Sequence, residues 1–176
     1  MSDRRQKFEQ LVLPHVDAAY NLARWLTRNE HDAEDVVQDA MLRAYRFCDS
    51  LRGEPRPWLL AIVRNACFTW LEANRPADLA GGLDEHPEPP SQDEGPEALA
   101  ARGLDRRLLN EAIAALPAQF REVLVLRELE DLSYRDIARI ADVPIGTVMS
   151  RLSRARRLLA DSMRVIQRAS RAKVSE

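Results

Sequence analysis

A proline- and glycine-rich acidic stretch near the middle of the chain constrains its fold more than any other feature. Between Pro76 and Pro96 lie five of the ten prolines and three of the six glycines. Few large apolar side chains interrupt this stretch. It cannot bury enough surface to offset chain entropy, so residues 76–103 read as a flexible linker. The chain is thereby divided into two blocks, 1–75 and 104–170. Within both blocks apolar residues recur at the 3.6-residue helical period, and strand-like alternation is absent. The expected fold class is all-α, with two small helical domains joined by the linker.

The linker also organises the charge. The whole chain carries a formal net charge of −2, which taken alone argues against nucleic-acid binding. Residues 1–75 hold eleven basic and eleven acidic side chains. Residues 76–103 set Arg102 against Asp78, Asp84, Glu85, Glu88, Asp93, Glu94 and Glu97, a net −6. Residues 104–176 carry fourteen basic and ten acidic groups, and from Ile145 onward eight basic against two acidic. The total hides an acidic middle and a basic C-terminal end, and that asymmetry says more about partners than the sum.

Other classes are disfavoured. No apolar run approaches the roughly 18 residues of a membrane span. The opening residues Met1–Lys7 lead into no continuous apolar stretch, unlike a secretory signal. Cys48 and Cys67 lie far apart without Cys-x-x-Cys spacing, which disfavours a disulfide framework or a zinc site. The expectation is a cytoplasmic protein with no metal or cofactor.

In the first block, Phe8 to Arg28 reads as a helix, with Pro14 as a kink or the true start. A second helix runs from about Asp32 to Cys48. Leu51–Pro57 reads as a loop and Trp58–Ala73 as a third helix, with Pro57 suited to its first turn. In the second block, helices are expected over Leu104–Leu116, Ala118–Glu128, Ser133–Ile140 and Ile145 to about Arg164. The tail Ser170–Glu176 is expected to fray.

Three helix faces exceed what a core requires. The segment Leu132–Val148 has helix-turn-helix spacing. Ser133 is a good N-cap, Ile137 and Ala138 face inward, and Val143 fills the turn. Val148, Leu152, Ala155 and Leu159 then make one apolar stripe. Beside it Thr147, Ser150, Arg151 and Arg154 share a face, with residue types that hydrogen-bond base edges. Arg156 and Arg157 lie to the sides, suited to phosphates. The plainer alternative is a solvated, arginine-rich surface.

On the second helix, Ala33, Val36, Val37, Ala40, Met41, Ala44, Phe47 and Cys48 form the side expected to be buried. Opposite lie Asp35, Gln38, Asp39, Leu42 and Arg46. Leu42, framed by polar groups, reads either as the apolar centre of a partner site or as one ordinary exposed leucine. The carboxylates sit on an open face near a single histidine, His31, which argues against acid-base or metal chemistry. The third helix is apolar nearly all round and should be central to its domain. Its narrow polar break holds Asn65 and Thr69, with Trp58 on the same side. These groups suit unpaired bases, or equally a core tryptophan and a satisfied amide.

The two blocks together resemble the extracytoplasmic-function (ECF) sigma factors of bacterial RNA polymerase. The resemblance is carried by Asp32–Asp39, Trp58–Asn65, Ala115-Leu116-Pro117, Leu132-Ser133-Tyr134, Val143–Val148 and Ser150–Arg156, in that order around the proline-rich gap. It implies a sigma-2-like domain whose Asp35, Gln38, Asp39 and Leu42 bind the β′ clamp helices of core RNA polymerase. Arg52, Arg56, Trp58, Arg64, Asn65 and Thr69 would lie at the −10 element, where the family captures a flipped base and opens the duplex. A sigma-4-like domain would place Thr147, Ser150, Arg151, Ser153, Arg154, Arg156 and Arg157 at the −35 element. Its first helices would face the β-flap. The acidic linker would thread toward the active-site cleft and RNA exit channel. An anti-sigma factor is the further partner implied.

The chain departs from the family's usual pattern at three places. Glu72-Ala73-Asn74-Arg75 stands where many relatives have a basic cluster. Met149 stands where many have lysine or arginine. Pro55-Arg56-Pro57 replaces phenylalanine-serine-threonine before the tryptophan. The alternative function is a stand-alone helix-turn-helix regulator that binds operators as a dimer. No effector domain or heptad seam supports it. An enzyme is the third class, and no phosphate loop, metal cluster or nucleophile-base pairing points to one.

Overall fold

A computed structural model describes residues 2–82 and 106–174. Residues 83–105, with most of the expected linker and the start of the Leu104 helix, lie outside the described residues. So do the carboxylates Asp84, Glu85, Glu88, Asp93, Glu94 and Glu97.

The N-terminal block contains helices α1 (Ser2–Leu11), α2 (Val16–Thr27), α3 (Glu30–Phe47) and α4 (Pro55–Asn74). Pro14 lies in a short 3-10 turn, Leu13–His15, which separates α1 from α2. The single helix expected from Phe8 onward is therefore two, because proline lacks the N–H that a continuous helix needs. Arg28 closes α2 in the left-handed conformation, with φ of 59°. Asn29 then caps α3, its side chain accepting from the Asp32 backbone N–H at 3.0 Å. Glu30 and Asp32 in that first turn suit the positive end of the helix dipole.

Helices α2, α3 and α4 pack on one another around Ala19, Leu22, Leu26, Val36, Ala40, Leu59, Leu60 and Val63. Helix α1 leans on the end of α3, where Phe8 meets Tyr45 edge to face with ring centroids 5.3 Å apart. Helix α4 is central, as its all-round apolar surface requires. It begins at Pro55, so the expected loop is shorter by Pro55, Arg56 and Pro57. A proline in the first turn costs no hydrogen bond.

The segment Pro76–Gly82 is a 3-10 helix, and Asp78 within it holds Arg28 at 2.8 Å. The start of the expected linker is thus anchored by an ion pair that composition does not reveal.

The C-terminal block contains α5 (Arg106–Ala114), α6 (Ala118–Leu124), α7 (Tyr134–Ala141) and α8 (Ile145–Val174). A wider π turn, Val125–Leu129, extends α6. Ser133 caps α7 by accepting from the Asp136 N–H at 3.1 Å. Asp142, with φ of 55°, makes the left-handed turn between α7 and α8. Val148, Leu152, Ala155 and Leu159 are fully buried or nearly so. Helix α8 runs past both its expected end near Arg164 and the expected fray from Ser170, as far as Val174.

The blocks do not stand apart. Helix α7 lies along α4, and α6 packs against both α2 and the Pro76–Gly82 turn. Core residues of both blocks form one continuous apolar cluster.

Candidate polymerase and nucleic-acid interfaces

The α3 face is open. Asp35, Gln38, Asp39 and Leu42 are all exposed, Leu42 by 59%. Asp39 pairs with Arg43 at 3.1 Å one turn on, and His31 lies 3.7 Å from Asp35. Both pairs follow the i,i+4 spacing that brings side chains together on a helix surface. Phe47, expected on the buried side, is 59% exposed. It stands at the last position of α3, where the chain leaves for a 3-10 turn and the core has ended. Cys48, the next residue, is buried as expected.

The α4 face divides. Asn65 and Thr69 are exposed and Trp58 is half-buried. The Thr69 hydroxyl donates to the Asn65 carbonyl at 3.0 Å. Arg52 is exposed, its Nη1 donating to the carbonyls of Asp49 and Leu51. Arg56 and Arg64 turn elsewhere. Arg56 Nη2 donates to the Glu130 carbonyl and to Glu130 Oε2, each at 2.7 Å. Arg64 forms an ion pair with Glu122 and stacks on Phe68, its guanidinium 3.8 Å from the ring centroid. Two residues expected to face DNA thus contact the C-terminal block instead. Patterning along α4 predicts which residues share a face but not what covers that face.

The α8 face is mixed. Thr147 and Ser150 are half-buried, and the Ser150 hydroxyl donates to the Thr147 carbonyl at 3.1 Å. Arg151 is half-buried and close enough to Glu122 to favour its ionised form. Arg154 lies over the Phe120 ring at 5.4 Å. Arg156 is held by Glu128 at 2.9 Å, and Arg157 is half-buried. Ser153, expected among the DNA contacts, is buried beside the apolar stripe. Ile145 and Met149, one turn apart at the start of α8, are exposed apolar residues.

Two charged residues that patterning did not single out lie deepest. Arg121 has no exposure and donates to the carbonyls of Ala114 and Leu116 at 3.0 and 2.7 Å. It also reaches across to the Leu26 carbonyl at 3.0 Å. Burial, with Arg28 nearby, lowers its pKa to about 10. Glu122 is likewise fully buried. Burial pushes its carboxyl above the ordinary carboxylate range, while Arg64 pulls it back. Cys67 is driven up to about 12, chiefly by burial and then by the Glu122 charge. Arg-Glu at positions 121–122 inside an otherwise apolar run was the one available signal.

Among the described residues no cluster of histidine, cysteine or carboxylate side chains has the grouping to hold a metal. No described helix is long and apolar enough to cross a membrane.

Comparison with known proteins follows the same division. Sigma-70 region 2 matches residues 11–76, and Sigma-70, region 4 matches residues 106–159. The ECF RNA polymerase sigma-E factor of Haemophilus influenzae is 36% identical over 152 residues, covering 81% of this chain and 79% of that protein. The chain belongs to the ECF sigma factors. The ECF sigma factor SigE of Mycolicibacterium smegmatis is 33% identical over 158 residues, 88% of this chain, and the chain spans 60% of that relative's length. Two solved structures share the fold. One is RpoE of Bartonella quintana in complex with the anti-sigma factor NepR, with a TM-score of 0.68 and 28% identity. That likeness covers 90% of this chain and 97% of RpoE. The other is CnrH in complex with the cytosolic domain of CnrY, with a TM-score of 0.62, 25% identity and coverage of 90% and 88%. At 90% coverage each likeness takes in both blocks. The region 4 match begins where the described C-terminal block begins, and the region 2 match ends at Pro76.

Proposed function

We propose that this ECF sigma factor is a promoter-specificity subunit without catalysis of its own. It binds core RNA polymerase, directs it to promoters by −10 and −35 recognition, and helps open the duplex. The observation that carries the reading is the helix-turn-helix of α7 and α8. Its capped first helix, left-handed turn at Asp142 and buried α8 stripe support a −35 role for the half-buried Arg151, Arg154 and Arg157 beside that stripe. In the N-terminal block, Asp35, Gln38, Asp39 and Leu42 form the surface for the β′ clamp helices. Their exposure supports this, with an apolar centre inside a polar rim. Arg52, Trp58, Asn65 and Thr69 line the −10 surface, joined by Arg56 and Arg64 once the C-terminal block has moved away. The domains are residues 1–75 and 104–170, with 76–103 between them and the first helices of the second domain toward the β-flap. An anti-sigma factor is the regulatory partner, as for RpoE of Bartonella quintana.

Run-off transcription with core polymerase and this protein alone tests the reading. Initiation from selected promoters is expected; an operator-binding regulator would need a separate sigma factor. Gln38→Ala with Leu42→Ala should weaken core binding. Arg151→Ala or Arg154→Ala should relax −35 choice, costing roughly 1–3 kcal/mol for a bidentate contact. Normal initiation by both variants would show that these faces are misassigned.

A further inference from the structure

A cavity of about 380 Å³ lies between α2, α5 and the π turn Val125–Leu129. Its apolar walls are Trp25 of α2, Leu109 and Ile113 of α5, and Val125 and Leu129 of the turn. Protein interiors pack closely, with few voids larger than a water molecule. A space of this volume falls instead in the range of small-molecule sites, which favour the junctions between domains. The backbone around it is unusual as well. π turns are rare and recur at functional sites, and this one brings Val125, Glu128 and Leu129 to the cavity.

The polar groups on the walls define the chemistry of an occupant. Asn21 Nδ2 donates to Glu130 Oε1 at 2.6 Å, which fixes the amide and leaves its Oδ1 as an acceptor. Glu128 is held by Arg156 at 2.9 Å, so its charge is already matched. Arg106, at the start of α5, is exposed, and its side chain makes no ion pair or hydrogen bond with another described residue. The side-chain amide of Asn110, one turn on, is likewise unpaired among the described residues. The cavity thus combines an apolar interior with an aromatic wall, an oriented acceptor and an uncompensated guanidinium. A guanidinium takes a carboxylate through two parallel N–H donors. Aromatic rings gain by offset or edge-to-face packing beyond the area they bury.

We propose that this cavity binds a small aromatic carboxylate that carries an N–H donor. Trp25 and the aliphatic walls take the ring, Asn21 Oδ1 accepts the N–H, and Arg106 takes the carboxylate with Asn110 beside it. The site uses none of the residues assigned to the clamp helices or to promoter DNA, so it stands or falls apart from those assignments. Its walls come from both blocks. A bound ligand therefore stabilises, by mass action, the form that brings these elements together.

The test uses the full chain with indole-3-acetate as the probe and neutral indole as the control that lacks the carboxylate. Isothermal titration calorimetry should show one saturable site for indole-3-acetate and roughly tenfold weaker binding of indole. Arg106→Glu should bring indole-3-acetate down to the affinity of indole or below it, and leave indole unchanged. The exposed, unpaired position of Arg106 lets that variant keep its fold. Leu109→Trp, which fills the cavity, should abolish binding of both compounds. In a proton–nitrogen correlation spectrum the Trp25 indole N–H should shift on titration while that of Trp70, which lies outside the cavity, stays in place. No saturable binding at millimolar probe, equal affinity for the two compounds, wild-type affinity in Arg106→Glu, or an unmoved Trp25 resonance each overturns the proposal.

Discussion

Helices α3 and α4 pack on the same core, yet their polar faces meet different fates. The α3 face stands in solvent, its carboxylates paired within the helix if at all. The arginines of α4 are capped by Glu122 and Glu130 of the other block. The contrast separates two kinds of surface: one open to solvent and one whose arginines are paired with the other block.

The contrast breaks most sharply at Glu122. Glu122→Ala strands the Arg64 guanidinium in a largely buried position and should cost about 3–5 kcal/mol in equilibrium denaturant unfolding. A cost close to zero would mean that the pair is solvated and the α4 face already open. Arg121 comes next. It ties the turn before α6 and reaches the first block through Leu26. Arg121→Ala should destabilise the chain by about 3 kcal/mol, because three carbonyls lose a charged donor. A thermal melt with one unshifted transition would contradict that role. Met149 tests the α8 face. It is 51% exposed on α8, so Met149→Arg should tighten −35 binding and steepen its salt dependence by about one phosphate contact. A salt slope identical to wild type would place Met149 away from the backbone. The smallest stability effect belongs to α3. Asp39→Ala removes only the exposed pair with Arg43 and should change stability by no more than about 0.5 kcal/mol. A larger loss would show that the α3 face carries structure.

Much of the fold is legible in residues taken a few at a time. The apolar stripe of α8, the Ser133 cap and the break at Pro14 depend on neighbours within about three turns. Local rules of periodicity and capping suffice there. The candidate site is legible only in part for the same reason. Asp35, Gln38, Asp39 and Leu42 share a face by helical spacing, and no other element competes for it. Arg56, Arg64 and Ser153 also follow their spacing, but their surroundings come from residues 58 to 74 positions away or from the packing of a whole bundle. Phe47 fails differently: it keeps the helical phase but lies past the end of the core that phase was meant to address.

The acidic, proline-rich middle, with few apolar groups, by itself predicted two helical blocks, and helices lie on either side of it. Spacing within each block determined which residues share a face. Only the tertiary structure decided that the blocks close on each other and that Glu122 and Glu130 are the groups that meet Arg64 and Arg56. It also decided that Arg121 is buried and that Asp78 anchors the linker's first turn to Arg28. The reason is physical. A helix face is set by the 100° step between consecutive residues, a property of the local backbone. The partner of a charge is set by whichever opposite charge the packed chain delivers within about 4 Å, and that depends on every element between them.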